Sequence, residues 1–159
     1  MLRLETFLPW RLVVLASTVS ENLASLYSAR YGITIPEWRV LATLGQFGRM
    51  TARDVGAHAR LHKTTVSRAV TSLSERGWLK REPNRADQRE AFLSLKPKGR
   101  TVYEDLAPTA LGFAARLVED LASEDRAALE RILDGLGAKA ASIGSASDIS
   151  ISDSDSARP

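Results

Sequence analysis

The chain has no cysteine and only two histidines in 159 residues. Without cysteine there is no disulfide framework, no thiolate metal site and no thiol-based redox sensing, and the composition is compatible with a reducing cytoplasm, the expected location. Two histidines leave little general-base chemistry. No run approaches the about 20 apolar residues that a membrane helix requires, so no membrane partner is expected. The most apolar early stretch, RLVVLASTV, follows Pro9 and Trp10 and soon meets Glu21. Its pattern continues to Tyr31, which favours an amphipathic helix over a cleaved signal peptide. No internal repeat is visible.

What is present is enough apolar material, 44% of residues, for one domain with extensions. The net charge of +3 hides an asymmetry: residues 53 to 100 carry 12 Lys or Arg against 5 acids, and the remainder is acidic by 4. A positive surface confined to one subdomain is what a polyanion partner requires.

Helical spacing runs from Trp10 to Tyr31 through Leu12, Leu15, Ala16, Val19, Leu23, Leu26 and Tyr27, and Gly32 ends it. Thr34 and Glu37 form a capping-box pattern for a second helix with Pro36 in its first turn, stopping near Gly48, a candidate left-handed cap. Thr51 opens a short third helix that buries Val55 and Ala59, and ARLH forces a sharp turn into a fourth helix, Lys63 to Arg76, closed by Gly77. Two short helices joined by a tight turn are a helix-turn-helix. WLKRE and EAFLSL then flank the charged, turn-prone PNRADQR, and Ala91, Leu93 and Leu95 alternate as in a half-buried strand. After Pro97 a long helix is expected to about Leu121, with Pro108 as a kink. Ser123 caps a final helix carrying Leu129, Ile132, Leu133 and Leu136. The expected architecture is mainly α with a small β-hairpin wing.

The fourth helix raises the functional question. With Val66, Ala69, Val70 and Leu73 on one side, Thr64, Arg68 and Thr71 lie opposite, with Lys63, Thr65, Ser67 and Ser72 on the shoulders. That outward face has no acid, whereas an ordinary surface helix mixes both signs. Double-stranded DNA explains it: Arg and Lys reach guanine edges or phosphates, Thr and Ser donate to either, and the helix start suits a phosphate. Arg85 and Arg89 at the hairpin tip suit a narrow minor groove, with Asp87 orienting an arginine instead of touching phosphate.

IPEWRVLATL, TTVSRAVTSLSERGWLKR and DQREAFLSLKPKG, read together, give Leu8 to Leu136 a pattern that resembles the MarR family of winged helix-turn-helix transcriptional regulators. Two positions depart from it: His62 stands where the family often has a Ser or Asp N-cap, and Lys96 replaces the usual Thr. The resemblance implies a homodimer built on 1–33 and 98–141, a DNA-binding domain over 34–97, and reading heads roughly 34 Å apart on a pseudo-palindromic operator, most simply as a repressor. The tail, 142–159, is rich in Ser and Asp and is expected to be disordered. DNA contact is expected from His62, Lys63, Thr64, Thr65, Ser67, Arg68, Thr71, Arg85, Asp87 and Arg89. The family's habit of holding a small aromatic or anionic effector between its first, second and fifth helices makes Trp10, Arg11, Trp38 and Arg39 candidate effector residues.

Rival chemistries are thin. His58 and His62 have zinc spacing, but they straddle the turn and lack the zincin Glu. GLGAKA from Gly135 imitates a dinucleotide fingerprint without a βαβ unit to host it. No metal, cofactor or catalysis is expected. The competing reading is a winged-helix module for protein interaction without operator binding.

Overall fold

The computed structural model describes residues 2–84 and 90–145, in two compact units divided between Ala114 and Ala115. The first unit holds a 3₁₀ turn, Leu4–Thr6, then α1 (Leu8–Tyr31), α2 (Ile35–Phe47), β1 (Met50–Thr51), α3 (Ala52–Ala59), α4 (Lys63–Glu75), β2 (Leu79–Pro83), β3 (Ala91–Leu95) and most of α5 (Pro97–Leu117). The second holds the last turn of α5 and α6 (Ser123–Ser145).

The caps read from the sequence govern the first unit. Thr34 and Glu37 make the full capping box, and Gly32 takes the left-handed conformation (φ 61, ψ 32) that lets its N–H reach the Ser28 carbonyl. Gly48 has positive φ but ψ −136, so it is not the left-handed helical cap expected; its freedom turns the chain into β1. The sequence pattern carries no sign of that strand. Two residues show no alternation, yet Met50 pairs with Leu93 and Thr51 with Phe92, making an antiparallel sheet in the order β1-β3-β2. In the hairpin Leu79 faces Leu95 and Arg81 faces Leu93, which turns Leu79 and Leu93 inward.

One core joins Val40 and Leu44 of α2, Val55 of α3, Val66, Ala69, Val70 and Leu73 of α4, and Leu79 and Leu93 of the sheet. This core orients α4. A second, of Tyr27, Ile33, Leu41, Val102 and Leu106, fixes the end of α1 and the start of α5 against α2. By contrast α1 up to Thr18 is exposed throughout, including Val13 at 59% and Leu15 at 60%.

α5 runs through Pro108 without interruption but stops at Leu117, short of the expected Leu121, where Val118 to Leu121 close turns by backbone bonds. Ser123 is the first residue of α6 instead of its cap, since Arg126 N–H already bonds the Ala122 carbonyl. α6 continues through Ser142 to Ser145, into the segment expected to be disordered, because the Ala-rich 138–141 run propagates helix. Residues 146–159 lie outside the described ones. Among the described residues no helix is long and apolar enough to cross a membrane.

Candidate nucleic-acid interface

Thr51 builds the start of the reading head: its hydroxyl accepts from the Asp54 N–H at 3.1 Å and donates to the Asp54 carboxylate at 2.8 Å. The turn between α3 and α4 is made at Arg60, a non-glycine residue in the left-handed region (φ 53, ψ 49), and the Leu61 N–H bonds back to the Gly56 carbonyl at 3.0 Å. A Cβ at Gly56 would meet that turn, 3.2 Å from the Leu61 carbonyl oxygen.

α4 then begins without a side-chain cap. His62 occupies the N-cap position in extended conformation and makes no capping hydrogen bond, so the amides of the first turn keep their positive end uncovered. His62, Lys63, Thr64, Ser67, Arg68 and Thr71 are exposed and Thr65 is half-buried. The first acid on the helix is Glu75, and among the described residues no ion pair engages Lys63 or Arg68. Ser72, read from the sequence as a shoulder of this face, instead turns toward α2 and donates to the Glu37 carboxylate. Arg85, Asp87 and Arg89 lie outside the described residues.

Beside α4 is a cleft of about 560 Å³ between α3, α4 and the sheet, with Arg53, Lys63 and Arg81 as its cations, Glu90 as its acid, and Leu61, Val66 and Leu93 among its apolar walls. Arg53 and Arg81 belong to the basic block of residues 53 to 100, and in the sequence only that charge asymmetry signals them.

The four candidate effector residues are not brought together within the chain. Trp38 stacks on Tyr27 at 5.5 Å between ring centres and, with Leu23, Leu26, Leu106, Thr109 and Ala110, lines a crevice between α1, α2 and α5 with no room for a water. Arg39 donates to Ser20 at 3.4 Å, not to Glu37 or Glu21. Trp10 and Arg11 are exposed near the start of α1, about 14 Å along its axis from Ser20 at 1.5 Å per residue. The His58 ring lies on Phe47 at 4.6 Å, and among the described residues no three His, Cys, Asp or Glu side chains converge on a metal site. GLGAKA is interior to α6, with no strand before it.

Glu37 is the electrostatic centre of the head's inner side. Burial pushes its carboxyl up, but hydrogen bonds from Ser72 and from the Thr34 amide and hydroxyl, with the Arg76 charge nearby, outweigh burial and hold it below the ordinary value. A depressed folded-state pKa gives stability that is present above the unfolded value of about 4.3 and lost as pH falls through the folded one. Glu37→Gln is therefore expected to melt below wild type near neutral pH, the gap closing on acidification through that window. A gap constant down to pH 3 in thermal melts would refute the ionised form's contribution.

Comparison with known proteins agrees with this geometry. Residues 31–90 match the MarR family. The chain is 28% identical over 102 residues to the HTH-type transcriptional regulator YwoH of Bacillus subtilis, covering 64% of this chain and 74% of that protein. A MarR-family transcriptional regulator from Silicibacter pomeroyi superposes with a TM-score of 0.73 at 26% identity, over 86% of this chain and 92% of that one. The fold also matches Bordetella bronchiseptica BpsR, whose structure concerns regulation of DNA binding by 6-hydroxynicotinic acid, with a TM-score of 0.68 at 21% identity over 80% of this chain and 98% of that one.

Proposed function

We propose that the chain, whose residues 31–90 match the MarR family of winged helix-turn-helix regulators, is a DNA-binding transcriptional regulator and not an enzyme, and that it acts as a homodimeric repressor on a pseudo-palindromic operator. In this reading α4 enters the major groove with Lys63, Thr64, Thr65, Ser67, Arg68 and Thr71 toward base edges and backbone. His62 and the uncapped helix start meet a phosphate, and Arg85 and Arg89, oriented by Asp87, reach the flanking minor groove. The observation that carries this reading is the exposed, acid-free face of α4. The exposed apolar surface of α1 and, separately, that of α6 at Ile132, Leu133 and Ile143 supports a second copy as the partner that covers them.

A small aromatic acid as effector is supported by the ligand named for BpsR and by the cationic cleft beside α4. Its occupation would compete with a phosphate for Lys63. The Trp38 crevice has to open before it could serve instead, because Tyr27 fills it.

Arg68→Ala is expected to weaken operator binding by about 1–3 kcal/mol and to relax base preference at one position, whereas Arg89→Ala weakens binding to all duplexes alike and lowers the salt slope by about 1. Fluorescence anisotropy at several salt concentrations separates the two. Unchanged affinity in both variants contradicts this placement of the helix and wing.

A further inference from the structure

We propose that Glu37, Ser72 and Arg76 are positioning residues that set the pitch of α4 and so the selectivity of duplex recognition, an inference that rests on the DNA-binding reading above. Arg68, Ser72 and Arg76 follow one another at four-residue intervals from mid-α4 to its C-cap, so one stripe carries a proposed base contact and then two anchors. The Ser72 hydroxyl donates to Oε1 of Glu37, while Oε2 of the same carboxylate accepts from the Thr34 N–H at 2.7 Å and the Thr34 hydroxyl at 2.8 Å. Glu37 is only 4% exposed, so the helix is pinned to a carboxylate that cannot exchange its partners for water. Arg76 forks across the end of α1, donating to the carbonyls of Tyr31 and Gly32 at 2.9 Å each.

The apolar underside of α4 cannot replace these bonds. Val66, Ala69, Val70 and Leu73 hold the helix down, but burial is non-directional and tolerates small rotations, whereas hydrogen bonds fix distance and angle. Lys63 starts the helix nine residues before Ser72, so a tilt of about 5° at that pivot moves the helix start by about 1 Å. A bidentate base contact does not survive that shift, while attraction to phosphates does. Loss of the anchors therefore removes discrimination and leaves general affinity.

The test compares binding of the full chain to a duplex selected from a random pool and to a scrambled duplex at one stated salt concentration, with thermal melting to confirm folding. Ser72→Ala is expected to reduce the preference for the selected duplex about tenfold, comparable to losing one base-pair contact, with the salt slope unchanged. Ser72→Thr, which restores the hydroxyl, recovers it. A folded Ser72→Ala protein with wild-type preference overturns the positioning role alone. Wild-type protein that prefers no duplex overturns the DNA-binding reading and this inference with it. If Ser72→Ala does not fold, Arg76→Lys, which keeps the charge but loses the two-carbonyl fork, is read by the same criteria.

Discussion

Gly99→Ala is expected to cost about 3 kcal/mol of stability and roughly 10 °C in Tm, although it adds a single methyl group. A Cβ at position 99 would lie 2.3 Å from the Trp78 carbonyl oxygen, 3.0 Å from the carbonyl carbon and 3.1 Å from the Trp78 Cβ. The obstacle is backbone, and it is held from both sides. The same carbonyl accepts the Lys96 N–H at 2.8 Å, and the Trp78 N–H bonds the Leu73 carbonyl at 3.0 Å at the end of α4. Position 99 is thus where α5 is pressed onto the junction between α4 and β2, and no rotamer change relieves it. A shift in Tm below about 2 °C by differential scanning calorimetry would show that α5 can move away cheaply.

Leu15→Glu is expected to act on assembly and not on the fold of one chain. Leu15 is 60% exposed on an α1 with only Tyr27 buried, so a carboxylate there displaces nothing within the protomer. In the proposed dimer a carboxylate at position 15 would be buried against apolar side chains of the second copy, which costs more than leaving it in water. Two heads joined in one dimer gain about 100-fold or more in avidity over a single head, and a monomeric variant loses that factor for a two-site operator. Sedimentation should report the monomer mass, with the far-ultraviolet spectrum unchanged. An unchanged dimer mass with wild-type affinity contradicts the role assigned to α1.

These two residues differ in how openly the chain announces them. Leu15 belongs to a helical stripe that periodicity reveals, and an apolar stripe with no acid or base across it already implies a cover. Gly99 ends the DQREAFLSLKPKG motif, but the reason for glycine there is a carbonyl contributed 21 residues earlier, which pattern does not encode. The same division runs through the reading head. Caps at Thr34 and Thr51, the turn at ARLH and the buried side of α4 are local chemistry, set by hydrogen bonds within five residues or by helical period. Ser72 sits on the shoulder of the wheel, where either face is open to it, and only the position of Glu37 on another helix decides. β1 owes its existence to β3, and the cleft beside α4 to three elements far apart in the chain. Trp10 and Trp38 both stand beside an arginine as candidate effector residues, yet the first is exposed near the start of α1 and the second is packed on Tyr27. The protein-interaction reading loses ground on the same observation that supports DNA: a protein-binding helix has no cause to exclude acids from six exposed positions, His62 to Thr71.

The most direct test of the account is a titration of isotopically labelled protein with a duplex selected from a random pool, followed by amide and side-chain chemical shifts. The largest changes are expected on His62 to Thr71 and on the hairpin tip, with the buried side of α4 and the exposed stripe of α1 little affected. Shifts confined to other surfaces, or no change with any duplex at low salt, would contradict it.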